Sequence, residues 1–359
     1  MSAPPPPPPA TARNALVVIA VVVTGAAAHW MGGIIAPLLL AIFLSIMVDG
    51  LSRAILSRAP NLPPRAATST AIVASTLLVV FSVVVVATNA EGFIATLARD
   101  QPKLDILLAQ AAARLGPHTP KSVAQLLGRL DPMQYAPAVA QALQNFGSAA
   151  VLVLLYLGFL LASRHAFERK TVRLFGTREA RHEALNVFLR VRDSIERYLW
   201  IQTVTGLVIA VGSFFVMMVV GLDHAFFWAF LVFILNYVPI LGAVAGIGLP
   251  ALFALLQFGD YGHALEVLGG TFAIAFVVGN IFLPRMQGNS LNMDPLIVML
   301  SLAFWGAIWG LPGMFLSTPL TVLSMVILAQ FRGSRWIAIL LSGDGDPLGA
   351  STEKDVVGG

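Results

Sequence analysis

Long apolar runs separated by short polar breaks organise the chain. Residues 15–30, 34–48, 70–88, 149–163 and 203–220 are each of the length and apolarity expected of one helical crossing of a membrane. Only a very short turn divides the first two, which predicts an antiparallel pair. Two later runs, 226–258 and 295–331, exceed 30 residues each. As straight helices they would be roughly 50 Å long, against a hydrocarbon core of about 30 Å. Each therefore predicts either a tilted, broken span or a span with a re-entrant piece. Between them a further apolar run follows Glu266.

The polar stretches divide the rest of the chain. Residues 1–13 hold six consecutive prolines, Pro4 to Pro9, and predict a disordered cytoplasmic tail of polyproline character. Arg13 and Ala26, Ala27 and Ala28 also fit a secretory signal, but the proline tail and single preceding charge argue against it. Residues 14–90 read as the first three spans. Residues 91–147 are polar and broken by Pro102, Pro117, Pro120, Pro132 and Pro137. Within them Leu104, Leu107, Leu108, Ala111 and Leu115, then Val123, Leu126, Leu127 and Leu130, recur at helical spacing, predicting short amphipathic helices. The fourth span is 148–163. A basic helical loop, 164–200, carries Leu185, Phe188, Leu189, Ile195, Tyr198 and Leu199 on one face leading into the fifth span. A transmembrane bundle with broken helices, 201–331, and a tail, 332–359, complete the chain.

Composition places this pattern in a membrane. The 359 residues are 57% hydrophobic and 11% charged, with mean hydropathy +0.83, whereas soluble domains hold about 25% charged residues. The net charge of +4 arises mostly from arginine-rich loops, so it reports orientation and not nucleic-acid binding. Loops with Arg53, Arg58 and Arg65, with 164–197, and with Arg332 and Arg335 are expected in the cytoplasm. The insert 91–147 then lies outside and both termini inside, which requires an even number of crossings. Counting each long run once gives eight crossings and puts Arg285 outside; counting each twice gives ten and puts it inside. Charge bias alone does not choose, and eight is the expectation adopted.

Several chemistries are excluded. The chain has no cysteine, which rules out disulfides and thiolate chemistry. It has no phosphate loop of the G-x-x-x-x-G-K type and no H-E-x-x-H, and its scattered histidines suggest no metal site. Gly343 to Asp346 resembles the G-x-G-D of membrane aspartyl proteases but falls in a polar tail without a partner aspartate, so it reads as a turn. No cofactor and no catalytic set are expected.

The positive signal is three glycine- and proline-broken segments. Asn236, Pro239, Gly242, Gly246 and Pro250 form the first; Asn280, Pro284, Arg285, Gly288, Asn292, Asp294 and Pro295 the second; Gly310, Gly313 and Pro319 the third. Membrane helices tolerate such breaks where protein or a water-filled cavity satisfies the freed backbone groups, and many transporters hold polar substrates on discontinuous helices. The plain alternatives are a proline kink at Pro239 with a small-residue helix contact at Gly242 and Gly246, and an interfacial anchor at Arg285 with a solvated Asp294. Three breaks close together, with asparagines nearby, favour a polar pathway. Glu266 is the candidate for proton coupling.

These positions carry a family resemblance. Tyr198, Gln202, Gly206, Gly221, Phe227, Trp228, Pro239, Gly242 and Pro250, then Asn280, Pro284, Gly288, Leu291, Pro295 and Leu296, then Gly310, Gly313 and Pro319 together resemble the AI-2E (autoinducer-2 exporter-like) family of bacterial membrane proteins. Pro37 and the run into Asp49 fit as well, although the family commonly carries Asn-Pro where this chain has Asp49-Gly50. The resemblance implies an eight-span inner-membrane protein, an extracytoplasmic insert after the third span, and a homo-oligomer. It also implies export of small signalling molecules in some members and sodium/proton antiport in others. The expected fold is all-α and polytopic. The expected partners are the lipid bilayer and a small polar solute or cation, with solute export first, and antiport or a passive channel as alternatives.

Overall fold

The computed structural model describes residues 10–115, 132–163, 177–239, 241–287, 293–331 and 333–346. Their fold is all-α. The helices are α1 (Ala10–Trp30), α2 (Gly32–Arg58), α3 (Pro64–Leu115), α4 (Pro132–Ala162), α5 (Arg178–Val220), α6 (Ala225–Leu235), α7 (Leu241–Phe258) and α8 (Tyr261–Val277). A π-helical turn (Val278–Phe282), α9 (Leu283–Gln287), α10 (Pro295–Gln330) and α11 (Arg335–Leu341) follow. Among the described residues the only β pairing is an isolated bridge between Met293 and Ser342. Among the described residues, seven helical segments are long and apolar enough to cross a membrane.

One helix runs further than the sequence pattern indicates. The periodic stretch 104–115 is not a separate short helix but the far part of the 52-residue α3. The second periodic stretch, 123–130, lies outside the described residues.

Contacts between helices define two ends of the bundle. Near the end of α2, Arg53 pairs with Glu196 of α5, and Gly50 faces the same carboxylate. At the opposite end lies the α1–α2 turn with Trp30. From α5 onward the chain makes two fold-backs. Val232 packs on Gly246 and Asn236 on Gly242, while Gln257 accepts from the Asp223 amide at 2.8 Å and donates to the Gly221 carbonyl at 3.0 Å. These pairs are symmetric about Pro239, so α6 and α7 are antiparallel legs of a hairpin. The 11 residues of α6 span about 16 Å, too little to cross a membrane core. The hairpin enters from the Trp30 end and returns to it.

The second fold-back lies inside α10. Gly310 adopts φ 62° and ψ −139°, a region essentially restricted to glycine, and the chain reverses there. Trp305 Nε1 donates to Thr321 Oγ1 at 3.1 Å, although a straight helix would hold residues so spaced about 24 Å apart. The two legs, 295–309 and 311–330, therefore run side by side. Trp309 Nε1 reaches the Ala28 carbonyl at 2.9 Å, which puts this turn at the Trp30 end, while the Met293–Ser342 bridge closes the other end.

Among the described residues the long run 226–258 is thus a hairpin, α6–α7, that returns to its own end, and the run 295–331 a pair of antiparallel legs. The expectation for Arg285 changes. Because α6–α7 returns to its own end, α8 runs back along α5, with Gly212 facing Ile274 and Gly270 facing Val216. Arg285 therefore lies at the Arg53 end, opposite to where a full crossing by 226–258 would have put it.

Two apolar clusters hold the C-terminal half together. Met217, Trp228, Phe253, Ala254 and Val267 pack between α5, α6, α7 and α8. Nearer the Arg53 end, Phe43, Tyr198, Leu199, Tyr237, Leu316 and Leu320 join α2, α5, the hairpin tip and α10.

Candidate functional site

The tip of the α6–α7 hairpin is held by amide groups. The amide nitrogen of Gln202 donates to the Asn236 carbonyl at 3.2 Å, and the Asn236 side-chain nitrogen donates back to the Gln202 carbonyl at 3.3 Å. Both acceptors are backbone carbonyls, which only accept, so the orientation of both side-chain amides follows. Beside them Thr203 gives its proton to the Leu199 carbonyl at 2.7 Å. The Tyr237 hydroxyl, 2.6 Å from Thr203 Oγ1, is then the donor of that pair. The Tyr237 ring stacks on Phe315 with centroids 5.0 Å apart, which brings the two hairpins together.

Glycine makes the close return possible. A Cβ at Gly242 would strike the Leu235 carbonyl and the Asn236 Cα. Val238 N bonds the Leu235 carbonyl and Gly242 N bonds the Val238 carbonyl, both at 2.9 Å, so the turn at Pro239 is hydrogen-bonded within itself.

Behind the tip is a cavity of about 170 Å³. Gln202, Thr205, Ile209 and Ser213 line it from α5, and Val232, Asn236, Gly242, Ala243, Gly246 and Ile247 from the hairpin. Ala275, Val278, Gly279 and Leu283 close the third side. That third wall is unusual: Leu283 N bonds the Val278 carbonyl five residues back. Pro284 offers no donor to continue an α-helical ladder, and such π turns recur at functional positions. Ser213 is fully buried, and its hydroxyl has no hydrogen-bond partner among the described residues. Pro250, buried in α7, leaves the Gly246 carbonyl without its helical donor.

The structure unites some sequence candidates and separates others. Asn236, Gly242 and Gly246 line the cavity, with Pro239 at the tip and Pro250 behind. Pro319 is fully buried in the second leg of α10, while Gly310 and Gly313 sit at its distant turn, Gly313 against the Trp305 carbonyl. Asn280 is exposed and bonds the Phe276 carbonyl of its own helix at 2.9 Å. Arg285 is exposed, and the exposed Asp294 caps α10 by accepting from Leu296 N at 2.7 Å just before Pro295. Glu266 is exposed on α8, away from the cavity. Gly288 and Asn292 lie outside the described residues.

Thr205 and Ser213 were not among the sequence candidates, and Gln202 entered only through the family resemblance. Their signal was available: spacings of three and eight put all three on one face of an otherwise apolar helix.

Residues 18–333 match the family described as AI-2E family transporter. The chain is 34% identical over 224 residues to the AI-2 transport protein TqsA of Escherichia coli (strain K12), covering 62% of this chain and 64% of that protein. A putative transport protein of Haemophilus influenzae is 30% identical over 326 residues, covering 86% of this chain and 90% of its own length. The putative transport protein YhhT of Escherichia coli (strain K12) is 30% identical over 336 residues, with 89% and 90% covered. The match thus spans less than two thirds of TqsA and nine tenths of the other two.

Proposed function

The chain belongs to the AI-2E transporter family, and on that premise we propose that it exports a small polar solute from a bacterial cytoplasm without ATP hydrolysis. The observation that carries this reading is the cavity between α5, the α6–α7 tip and the π turn, whose mostly aliphatic wall carries the side chains of Gln202, Thr205, Ser213 and Asn236. An autoinducer-like molecule is the solute class in view, since TqsA is named an AI-2 transport protein. The cytoplasmic membrane is the location, with the chain acting as a homo-oligomer. Arg53, Arg58 and Arg65, the arginines of α5 and Arg285 gather at one end of the bundle, which supports a cytoplasmic Arg53 end. Both termini are then cytoplasmic, and the region 91–147 extracytoplasmic. Antiport is the weaker reading, because among the described residues no carboxylate lines the cavity and Glu266 stands outside it.

Efflux from proteoliposomes loaded with a panel of small polar metabolites tests the proposal. Export predicts saturable release of at least one of them, without a pH change in the lumen when sodium is added. Sodium-driven proton movement that disappears in Glu266→Gln would replace export by antiport.

A further inference from the structure

The helix α11 is far too short to cross a membrane, at seven residues and about 10 Å, yet it presents an apolar face outward. Its depth follows from α10. The second leg of α10, 311–330, starts at the Trp30 end and rises about 30 Å, the thickness of a hydrocarbon core. Phe331 therefore stands at the opposite membrane face. There the chain turns, with Ser334 Oγ donating to the Leu328 carbonyl at 2.9 Å, and α11 follows. Ser342, just past α11, pairs with Met293, just before α10. By the register that Trp305 and Thr321 set, Met293 is level with the end of the second leg. Thus α11 begins and ends at one depth and lies across the Arg53 end of the bundle.

Its two sides differ. Ala338, fully buried, and Leu341 pack with Met325, Leu328 and Ala329 of α10. On the other side Trp336, Ile339 and Leu340 are 60%, 43% and 64% exposed, and spacings of three and four put them on one arc. Ile327 and Phe331, also exposed, lie one turn apart and carry the outward apolar surface of α10 down to the turn. So short a helix is not stable in water on propensity alone, and a contiguous apolar patch marks an interaction site.

Charge and depth say what covers the patch. From Phe331 to Gly343 the sequence holds Arg332 and Arg335 and no acid. Arg335 is exposed and has no ion-pair partner among the described residues. A tryptophan beside an arginine at headgroup level, with aliphatic side chains on the same arc, is the composition of a helix lying in a membrane interface.

We propose that α11 is a membrane-surface anchor. Trp336, Ile339 and Leu340 sit at the boundary of headgroups and acyl chains, and Arg335 pairs with the phosphate of an anionic lipid. Through Ser334 at one end and Ser342 at the other, this seat fixes the depth of both legs of α10. It depends neither on solute export nor on which leaflet is cytoplasmic.

The test uses the full chain in vesicles of phosphatidylcholine, with and without phosphatidylglycerol. Because the chain has no cysteine, Trp336→Cys, Leu340→Cys and Gly343→Cys each carry a single nitroxide spin label. Collision with oxygen, which concentrates among acyl chains, is compared with collision with nickel ethylenediaminediacetate, a neutral complex that stays in water. The labels at 336 and 340 are expected to favour oxygen several-fold over the label at 343, past the helix. Phosphatidylglycerol should strengthen that preference at 340, and Arg335→Gln should remove the strengthening. Labels at 336 and 340 that meet the nickel complex as readily as the label at 343 does put the face in water and overturn the proposal. Shielding from both reagents means that a second copy of the chain covers the face, which overturns it as well. A labelled chain that melts well below the parent shows a packed side chain and has the same consequence. A phosphatidylglycerol effect that survives Arg335→Gln overturns the pairing of Arg335 with lipid phosphate.

Discussion

The α6–α7 hairpin and the two legs of α10 are built with the same punctuation, glycine and proline at a turn in an apolar run, yet their turns meet opposite surroundings. At the first, amide groups of Gln202 and Asn236 cross-bond, and a cavity with amide and hydroxyl residues on its wall opens behind them. At the second, indoles fill the space. Trp305 stacks on Trp309 with centroids 5.3 Å apart, Trp309 Nε1 donates to the Ala28 carbonyl, and His29 Nδ1 donates to the Ile308 carbonyl at 2.7 Å. A break in a membrane helix is therefore no site in itself. It becomes one where the groups it frees face space instead of tryptophan.

Substitutions at the two turns can break that comparison. The largest effect is expected for Gly242→Val, where the new side chain meets the Leu235 carbonyl. Release of solute should fall to the empty-liposome rate, with a stability loss of about 3 kcal/mol; normal transport by this variant would mean that the tip does not shape the pathway. Gly310→Ala places a side chain at φ 62° and should cost about 2 kcal/mol. Its thermal midpoint should drop while transport per folded molecule persists. Equal transport defects at both turns would erase the distinction between them.

Smaller changes sharpen it. Gln202→Ala and Asn236→Ala should each destabilise by about 1 kcal/mol. Each side chain bonds the other residue's backbone carbonyl, so the two variants remove different hydrogen bonds and the double variant should lose about the sum; a loss well away from the sum in denaturation would show that the two bonds depend on each other. The smallest effect lies at the open end of the first hairpin, where Asp260 caps α8. Hydrogen bonds from the His263 side chain and backbone hold the Asp260 carboxyl below its usual range. Because the folded carboxyl titrates below the unfolded one, its contribution is complete above the ordinary aspartate range and fades as pH falls through the depressed folded value. Asparagine caps a helix as well as aspartate does. The thermal midpoints of Asp260→Asn and the parent should therefore differ slightly near neutral pH and converge in acid. A gap that widens in acid would contradict this assignment. The site is exposed, so the difference should be modest.

Much of the fold was legible along the chain. Apolar run length predicted the helices, and glycine and proline marked the broken segments, because the loss of a backbone donor at Pro239 or Pro284 is a property of the residue itself. Within the candidate site Asn236, Gly242 and Gly246 were legible for the same reason. Arg285 was not: its end of the bundle depends on whether 226–258 crosses or returns, and both paths satisfy the same count of charged loops. Ser213 was overlooked because a lone serine in an apolar helix commonly bonds its own backbone, as Thr205 does.

The sequence by itself determined an all-α membrane protein of the AI-2E family and the positions at which its helices break. These follow from local chemistry: side-chain hydrophobicity, missing donors and permissive glycines. Tertiary structure alone decided that two of the breaks are reversals, that Asn236 and not Asn280 meets the cavity, and that the buried Ser213 hydroxyl has no partner among the described residues. Those outcomes rest on contacts such as Gln202 with Asn236 and Trp305 with Thr321. A periodic pattern tells which residues share a helix face, but which helix covers that face is set by packing between segments far apart in the chain.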